Sequence, residues 1–167
     1  MKTLPPPLAL LFVIITFIFT VMAKSDPDIP TGSWDQHSEG VAIALIWKEH
    51  DVIAHVKNTS TSLKQLMSMG SNTYVKLFYI DAQGAAIPFG DHPFYNDARD
   101  DDSKEQGALD IAPGAVVSRP VAITSAEATL LKTHPVVCTV LIYDPATKQK
   151  STVTSSPKLL TETPSGK

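Results

Sequence analysis

Large apolar side chains recur at every second position in several short stretches of the chain, and this two-residue period indicates β-strands. In Val41–Trp47 the odd positions carry Val, Ile, Leu and Trp, whereas the even positions are mostly Ala. After a polar break, Val52–Asn58 alternates again and places His55 on the face opposite Val52 and Val56. Because only a short polar turn separates the two stretches, they predict a β-hairpin.

The same pattern, with turn-forming residues between the apolar runs, predicts further strands. They are a central strand at Tyr74–Ile80, an edge or end strand at Ala85–Phe89, strands at Ala108–Ile111, Val116–Ile123 and Val136–Tyr143, and a polar edge strand at Gln149–Ser155. Thr59–Asn72 predicts a crossing loop with a short strand or turn, and Gly90–Gln106 predicts an exposed acidic loop. Thr124 and Glu127 have the spacing of a capping box, which predicts one helical turn before Pro135.

About seven short strands with polar turns and one short helical turn fit an all-β fold, an immunoglobulin-like antiparallel β-sandwich. A small β-barrel is the alternative. The lack of long amphipathic helices between the strands argues against a doubly wound α/β fold. The predicted organisation is a signal peptide at 1–23, an N-terminal linker at 24–39, the β-sandwich domain at 40–156 and a flexible C-terminal tail at 157–167.

The first 23 residues have the order of a secretory signal peptide. Lys2 and the amino terminus supply positive charge, Leu8–Met22 is an uncharged apolar run, and Ala23 is a small residue at the cleavage point. The run is shorter than the roughly 20 apolar residues that span a bilayer. We therefore expect cleavage near Ala23 and export, which makes the mature chain periplasmic or secreted. An uncleaved N-terminal anchor is the alternative, and only this segment would then contact a membrane.

The chain of 167 residues is 43% hydrophobic and 19% charged, which suits a single globular domain. Its net charge of −3 gives no basic face for phosphate groups, so we expect no nucleic-acid partner. Cys138 is the only cysteine, which excludes an intrachain disulfide. Because Cys138 lies within the apolar run Val136–Leu141, we expect a buried thiol rather than a reactive one.

Three pieces of the sequence mark strand ends and turns in a fixed order. They are Val56–Ser60 (VKNTS), Tyr79–Gly84 (YIDAQG) and Leu109–Gly114 (LDIAPG). In this order the chain resembles exported immunoglobulin-like domains of the type related to the intracellular proteinase inhibitor family of bacilli. The resemblance extends over about half the chain and implies the sandwich fold. It also implies protease inhibition as one alternative function.

The sequence lacks the motifs of several common catalytic sites. It contains no Gly-x-Ser-x-Gly nucleophile elbow and no glycine-rich phosphate-binding loop. Its only cysteine lies in no protease motif. We therefore expect a protein that is not an enzyme and that needs no cofactor.

The acidic loop carries carboxylates with the chemistry of a calcium site, because hard cations bind several carboxylate oxygens at once. The candidate ligands are Asp97, Asp100, Asp101 and Asp102, although their spacing is not that of an EF-hand. Ordinary solvated loop charge is the structural alternative.

A soft-metal site is a second possibility, because thioether and imidazole groups suit copper. The candidate ligands are Met67, Met69 and His55. Ordinary packing at a strand edge is the structural alternative for the two methionines. A metal-binding carrier, of copper or of calcium, is therefore an alternative function of the chain.

Aromatic residues beside the acidic loop form the candidate surface for a partner. Phe89, Phe94 and Tyr95 would act as anchors if exposed, and edge packing is the alternative. Asn58-Thr59-Ser60 is formally an N-glycosylation acceptor and equally a polar strand exit. Taken together, these features predict an exported, non-enzymatic binding or assembly module of the cell envelope, with a protein or envelope partner.

Overall fold

The structure, a computed structural model, describes residues 34–69, 73–89 and 107–163. These residues form ten strands and one helix. The strands are β1 (Asp35–His37), β2 (Val41–Lys48), β3 (Asp51–Asn58), β4 (Lys64–Met67), β5 (Val75–Ile80), β6 (Ala86–Pro88), β7 (Ala108–Ile111), β8 (Val116–Ala122), β9 (Val136–Asp144) and β10 (Gln149–Thr154). Helix α1 (Ser125–Leu131) lies between β8 and β9. The predicted all-β class is confirmed.

The first sheet contains four antiparallel strands in the order β1-β2-β3-β8. The predicted hairpin is confirmed, because β2 pairs with β3 from Val41 opposite Asn58 to Lys48 opposite Asp51. The turn between them includes Glu49, whose φ is 53°. Paired residues point to the same side of a sheet, so the large residues of β2 and the small apolar residues of β3 share the inner face.

The second sheet is built around β9, whose two edges have different partners. One edge pairs with β10, from Asp144 opposite Gln149 to Thr139 opposite Thr154. The other edge is shared end to end by β5 and β4, and β6 and β7 lie outside them. The predictions that β5 is internal and that β6 and β10 are edge strands agree with this order.

The core lies between the two sheets and consists of one cluster of apolar side chains from both. Its fully buried members include Val41, Val52, Val56, Leu66, Ile111, Leu131, Val136, Cys138 and Val140. Alternation along each strand supplies one such residue at every second position, which is the origin of the period in the sequence. The single shared interior makes the described residues one sandwich.

Helix α1 begins with the predicted capping box. The Thr124 Oγ1 accepts a hydrogen bond from the backbone N–H of Glu127 at 3.3 Å, and Oε2 of Glu127 accepts one from the backbone N–H of Thr124 at 2.7 Å. The helix has seven residues, which is about two turns rather than the predicted one. It is held to the core by Leu131, which is fully buried. In the described ranges no helix combines the length and the apolar character needed to cross a membrane.

The first described strand lies within the stretch 24–39, for which the sequence predicts a linker. Residues Asp35–His37 of that linker form β1, which pairs with β2. The Asp35 carboxylate also accepts hydrogen bonds from the backbone N–H and the hydroxyl of Ser156. The ring of Trp34 lies 5.8 Å from the ammonium of Lys57. The Asp35 contact ties the beginning of the domain to Ser156, which follows β10, and the other two tie it to β2 and β3.

The beginning of the predicted C-terminal tail is also packed against the domain. Lys158 forms an antiparallel bridge with Val136, and the backbone N–H of Thr163 donates to the carbonyl of Trp47 at 2.8 Å. Between these contacts, Leu160 is only 7% exposed and belongs to the core. This stretch therefore runs from the second sheet to the first and closes one end of the sandwich.

Candidate functional site

Along one edge of β9, strands β5 and β4 lie end to end, and β6 and β7 lie outside them. Adjacent residues of β9 pair with residues on different strands, since Leu141 lies opposite Met67 and Val140 lies opposite Val75. Outside these strands, the carbonyl of Gly107, just before β7, accepts a hydrogen bond from the N–H of Ser68 at 3.1 Å, and Phe89 follows directly after β6. We call this place, defined by Met67, Ser68, Val75, Phe89 and Gly107, the interrupted edge.

Phe89 is a core residue at the interrupted edge. Its side chain is 9% exposed, and its ring lies edge-on to Tyr79 with centroids 5.6 Å apart. Its backbone N–H donates to the carbonyl of Leu77 at 3.1 Å. Phe89 is therefore packed at this point, which agrees with edge packing, the alternative to a partner contact. Phe94 and Tyr95, the other two predicted contacts, lie outside the described residues.

The structure does not bring the predicted copper ligands together. His55 alternates with the core residues Ala54 and Val56 and points to the outer side of the first sheet. Met67 alternates with the core residue Leu66 and points to the outer side of the second sheet. The two side chains therefore lie on opposite sides of the sandwich. Met69 lies at the interrupted edge, where its N–H donates to the carbonyl of Thr73 at 2.7 Å.

His55 makes a contact of a different kind. It is fully buried, and its Nδ1 lies 2.7 Å from the hydroxyl of Ser118 on β8. Within 34–69, 73–89 and 107–163, no three His, Cys, Asp or Glu side chains are grouped as metal ligands. The predicted calcium ligands Asp97, Asp100, Asp101 and Asp102 lie outside the described residues.

Cys138 is buried as predicted. Its side chain is inaccessible, and burial raises the pKa of the thiol to about 12. Its backbone N–H donates to the hydroxyl of Ser155 at 2.9 Å, and its carbonyl accepts from the N–H of Ser155 at 2.8 Å. The thiol is therefore protonated in the folded protein at physiological pH, which makes it a poor nucleophile.

Asn58 is a buried structural residue at the exit of β3. Its amide nitrogen donates to the carbonyls of Ser62 at 2.7 Å and Ile111 at 2.8 Å. Its amide oxygen accepts from the N–H of Ser60 at 2.9 Å and from the hydroxyl of Ser60 at 2.7 Å. Because both amide hydrogens are engaged and the side chain is fully buried, the folded domain has no room for a glycan at Asn58. The hydrogen bonds of Asn58 therefore fit the interpretation of Asn58-Thr59-Ser60 as a polar strand exit.

A polar cavity of about 330 Å³ opens between the sheets, at the end where β4 begins and β9 ends. We call it the polar cavity. It is lined by Ser38, Glu39, Lys64, Ile142, Asp144, Thr147, Gln149 and Ser151. The first two belong to the turn between β1 and β2, and the others belong to β4, β9, β10 and the turn between β9 and β10.

The Lys64–Asp144 ion pair lies inside this cavity. Lys64 is two residues from Leu66, so both side chains point to the inner face of β4. The side chain of Lys64 is 9% exposed. Its Nζ donates to Oδ2 of Asp144 at 2.7 Å, while Oδ1 accepts from the N–H groups of Ala146 and Thr147. The hydrogen bond from Lys64 is the main reason that the pKa of Asp144 lies below its usual 3.8.

The turn between β1 and β2 brings a second carboxylate to the cavity. Ser38 donates a hydrogen bond to Oε2 of Glu39 at 3.1 Å. Gly40 has a φ of 75°, and a Cβ at this position would lie only 2.8 Å from Cβ of Ser60. A glycine is needed here because the backbone is left-handed and approaches its neighbour closely. Because Gly40 packs closely against Ser60, the neighbouring Glu39 lies at the cavity that Lys64 also lines.

No known protein family, curated protein or solved structure shows significant similarity to the chain.

Proposed function

We propose that the chain is an exported, non-enzymatic binding or assembly module of the cell envelope. The observation that supports it is the interrupted edge, where β4 and β6 end and β5 and β7 begin close to one another in the second sheet. Loops held at both ends by a rigid scaffold are common binding elements. The longer connecting segment, 90–106, carries Phe94 and Tyr95, which are the residue types that most often act as anchors.

We further propose that the sandwich is of the immunoglobulin type. Three properties support this assignment. First, β3 of the hairpin β2–β3 pairs with β8, which comes much later in the chain. Second, β9 has β10 on one edge and both β4 and β5 on the other. A short helix also precedes β9. Immunoglobulin-like sandwiches also contain two antiparallel sheets joined by connections between strands that are distant in sequence, and their end loops commonly bind partners.

The proposal predicts a partner that binds through the long segment. The experiment compares the mature chain from Lys24 with the double variant Phe94→Ala/Tyr95→Ala. The matched control is Lys150→Ala/Thr152→Ala, which changes two exposed residues of β10. Partners captured from an envelope fraction are purified and their affinities measured by calorimetry.

We expect at least a tenfold loss of affinity for the segment variant, which is about 1.4 kcal/mol, and none for the control. Equal binding by all three proteins would contradict the assignment of the segment. Turnover of a substrate that depends on one residue of the chain would contradict the non-enzymatic function. Export is tested separately by the intact mass of the recovered protein, which should begin at Lys24.

The alternative functions have separate tests. The resemblance to proteinase inhibitors predicts inhibition of subtilisin-like proteases, which is measured by titrating the mature chain against such an enzyme. Native mass spectrometry with Ca²⁺ tests the acidic segment. The opposite positions of His55 and Met67 do not favour a copper carrier that uses both.

A further inference from the structure

We propose that the polar cavity binds a neutral polyhydroxylated ligand of the size of one sugar residue. This site is separate from the interrupted edge and does not depend on the function proposed for it. The cavity lies at the end of β9, where Asp144 pairs with Gln149, whereas the interrupted edge lies further back along β9, at Val140 and Leu141.

The ammonium of Lys64 is buried beside the cavity. A lysine side chain is seldom buried, because removing its charge from water is costly unless it is paired. Among the described residues, Nζ of Lys64 donates to one acceptor, Oδ2 of Asp144. An ammonium has three N–H donors, so two remain for a molecule in the cavity. Hydroxyl oxygens of a ligand can accept them.

The charged groups of the cavity lining favour a neutral ligand. Glu39 and Asp144 carry two negative charges, and Lys64 carries one positive charge. An anionic ligand would meet two carboxylates, and a cationic ligand would meet the ammonium of Lys64. A neutral ligand avoids both penalties and can still form charge-assisted hydrogen bonds with all three groups.

The cavity lining mixes hydrogen-bond donors and acceptors. Carboxylates only accept hydrogen bonds and an ammonium only donates them, whereas the Gln149 amide and the Ser151 hydroxyl do both. A sugar hydroxyl also donates and accepts, so adjacent hydroxyls match this lining. Gln149 and Ser151 are two residues apart on β10 and point to the same side. Gln149 pairs with Asp144 and Ser151 pairs with Ile142 on β9, so all four side chains share this side.

The size of the cavity suits a small ligand. Its volume of about 330 Å³ is at the lower end of the range for small-molecule sites. One six-membered sugar ring is a ligand of this size. The cavity is open to solvent on one side, so the sugar could be free or could be the end of a longer glycan.

The experiment titrates the ¹⁵N-labelled mature chain with glucose, N-acetylglucosamine and glycerol and follows the backbone amides by NMR. Inorganic phosphate and spermidine serve as charged probes. The test variant is Gln149→Ala/Ser151→Ala, which removes two lining groups from β10. The matched control is Lys150→Ala/Thr152→Ala, whose side chains point to the other side of the same strand.

We expect saturable shifts with at least one sugar at the amides of Glu39, Thr147 and Gln149, in the millimolar range. The test variant should weaken this binding at least tenfold, and the control should not change it. Disaccharides that bind as well as the monosaccharide would identify a chain end as the ligand, and weaker binding of disaccharides would identify a free sugar.

Three results would overturn the proposal. One is the absence of saturable shifts with every neutral probe. Another is tighter binding of phosphate or spermidine at these amides, because it would contradict the charge argument. The third is unchanged sugar binding by the Gln149→Ala/Ser151→Ala variant. None of these results affects the partner proposed for the interrupted edge, which is measured with different variants.

Discussion

The ammonium of Lys64, the first residue of β4, lies 2.7 Å from Oδ2 of Asp144, the last residue of β9. The two strands are neighbours in the sheet although they are distant in sequence. Both side chains are largely buried. The effects of removing the two partners should therefore differ. Removal of the anion leaves a buried ammonium without its counter-charge, whereas removal of the cation leaves a carboxylate that still accepts two backbone hydrogen bonds.

We predict that Asp144→Asn destabilises the domain more than Lys64→Met does. Methionine retains most of the length of the lysine side chain and brings no charge into the core. Urea unfolding at neutral pH measures both free energies of unfolding. The double variant Lys64→Met/Asp144→Asn should recover part of the loss, because it leaves no unpaired charge. A larger loss for Lys64→Met than for Asp144→Asn would contradict this account of the pair.

The pH dependence of stability follows from the lowered pKa of Asp144. A carboxyl whose pKa is lower in the folded state than in the unfolded state stabilises the fold above its unfolded pKa, near 3.8. This contribution is lost as the pH falls through the folded pKa. We therefore expect the difference in stability between the wild type and Lys64→Met to diminish below about pH 4. An equal difference at pH 7 and pH 2.5 would show that the ion pair contributes nothing.

Features that depend on neighbouring residues were predictable from the sequence. The hairpin β2–β3 and the capping box of α1 each depend on one short stretch, and the burial of Cys138 follows from its apolar neighbours. The position of Lys64 was not predictable, because β4 has only four residues and its sequence KQLM gives little alternation. The shared edge of β9 was also hidden, since β4 and β5 pair with adjacent residues of a strand much later in the chain.

Asn58 should be one of the most sensitive polar positions in the domain. Its replacement by alanine leaves the carbonyls of Ser62 and Ile111 without the amide donor, and the loss of each such bond typically costs about 1–3 kcal/mol when the partner is buried. We expect Asn58→Ala to lower the free energy of unfolding by about 3 kcal/mol.

The control for Asn58 is Thr59→Ala, which changes the exposed neighbour. It should change stability by about 0.5 kcal/mol or less. Chemical denaturation of the mature chain measures both variants. Similar small effects at the two positions would show that the hydrogen bonds of Asn58 do not hold the strand exit.

Cys138 should be unreactive in the folded protein. With a pKa of about 12, the thiol is almost entirely protonated at pH 8, and its burial blocks access to reagents. We expect an alkylating reagent to modify Cys138 only in denaturant. A Thr152→Cys/Cys138→Ala variant, whose thiol lies on the exposed side of β10, should react rapidly under native conditions. Comparable native labelling of the wild type would contradict the burial of Cys138.

Two adjacent leucines test whether residues after β10 belong to the folded domain. Leu160 is 7% exposed and lies in the core, whereas Leu159 is 60% exposed. A buried Leu→Ala change costs about 2–5 kcal/mol, and an exposed one costs little. We therefore expect Leu160→Ala to destabilise the domain by about 2 kcal/mol or more and Leu159→Ala to leave it nearly unchanged. Both proteins have the same composition, so calorimetric melting temperatures compare them directly. Equal melting temperatures would mean that the stretch from Lys158 to Thr163 does not close the sandwich.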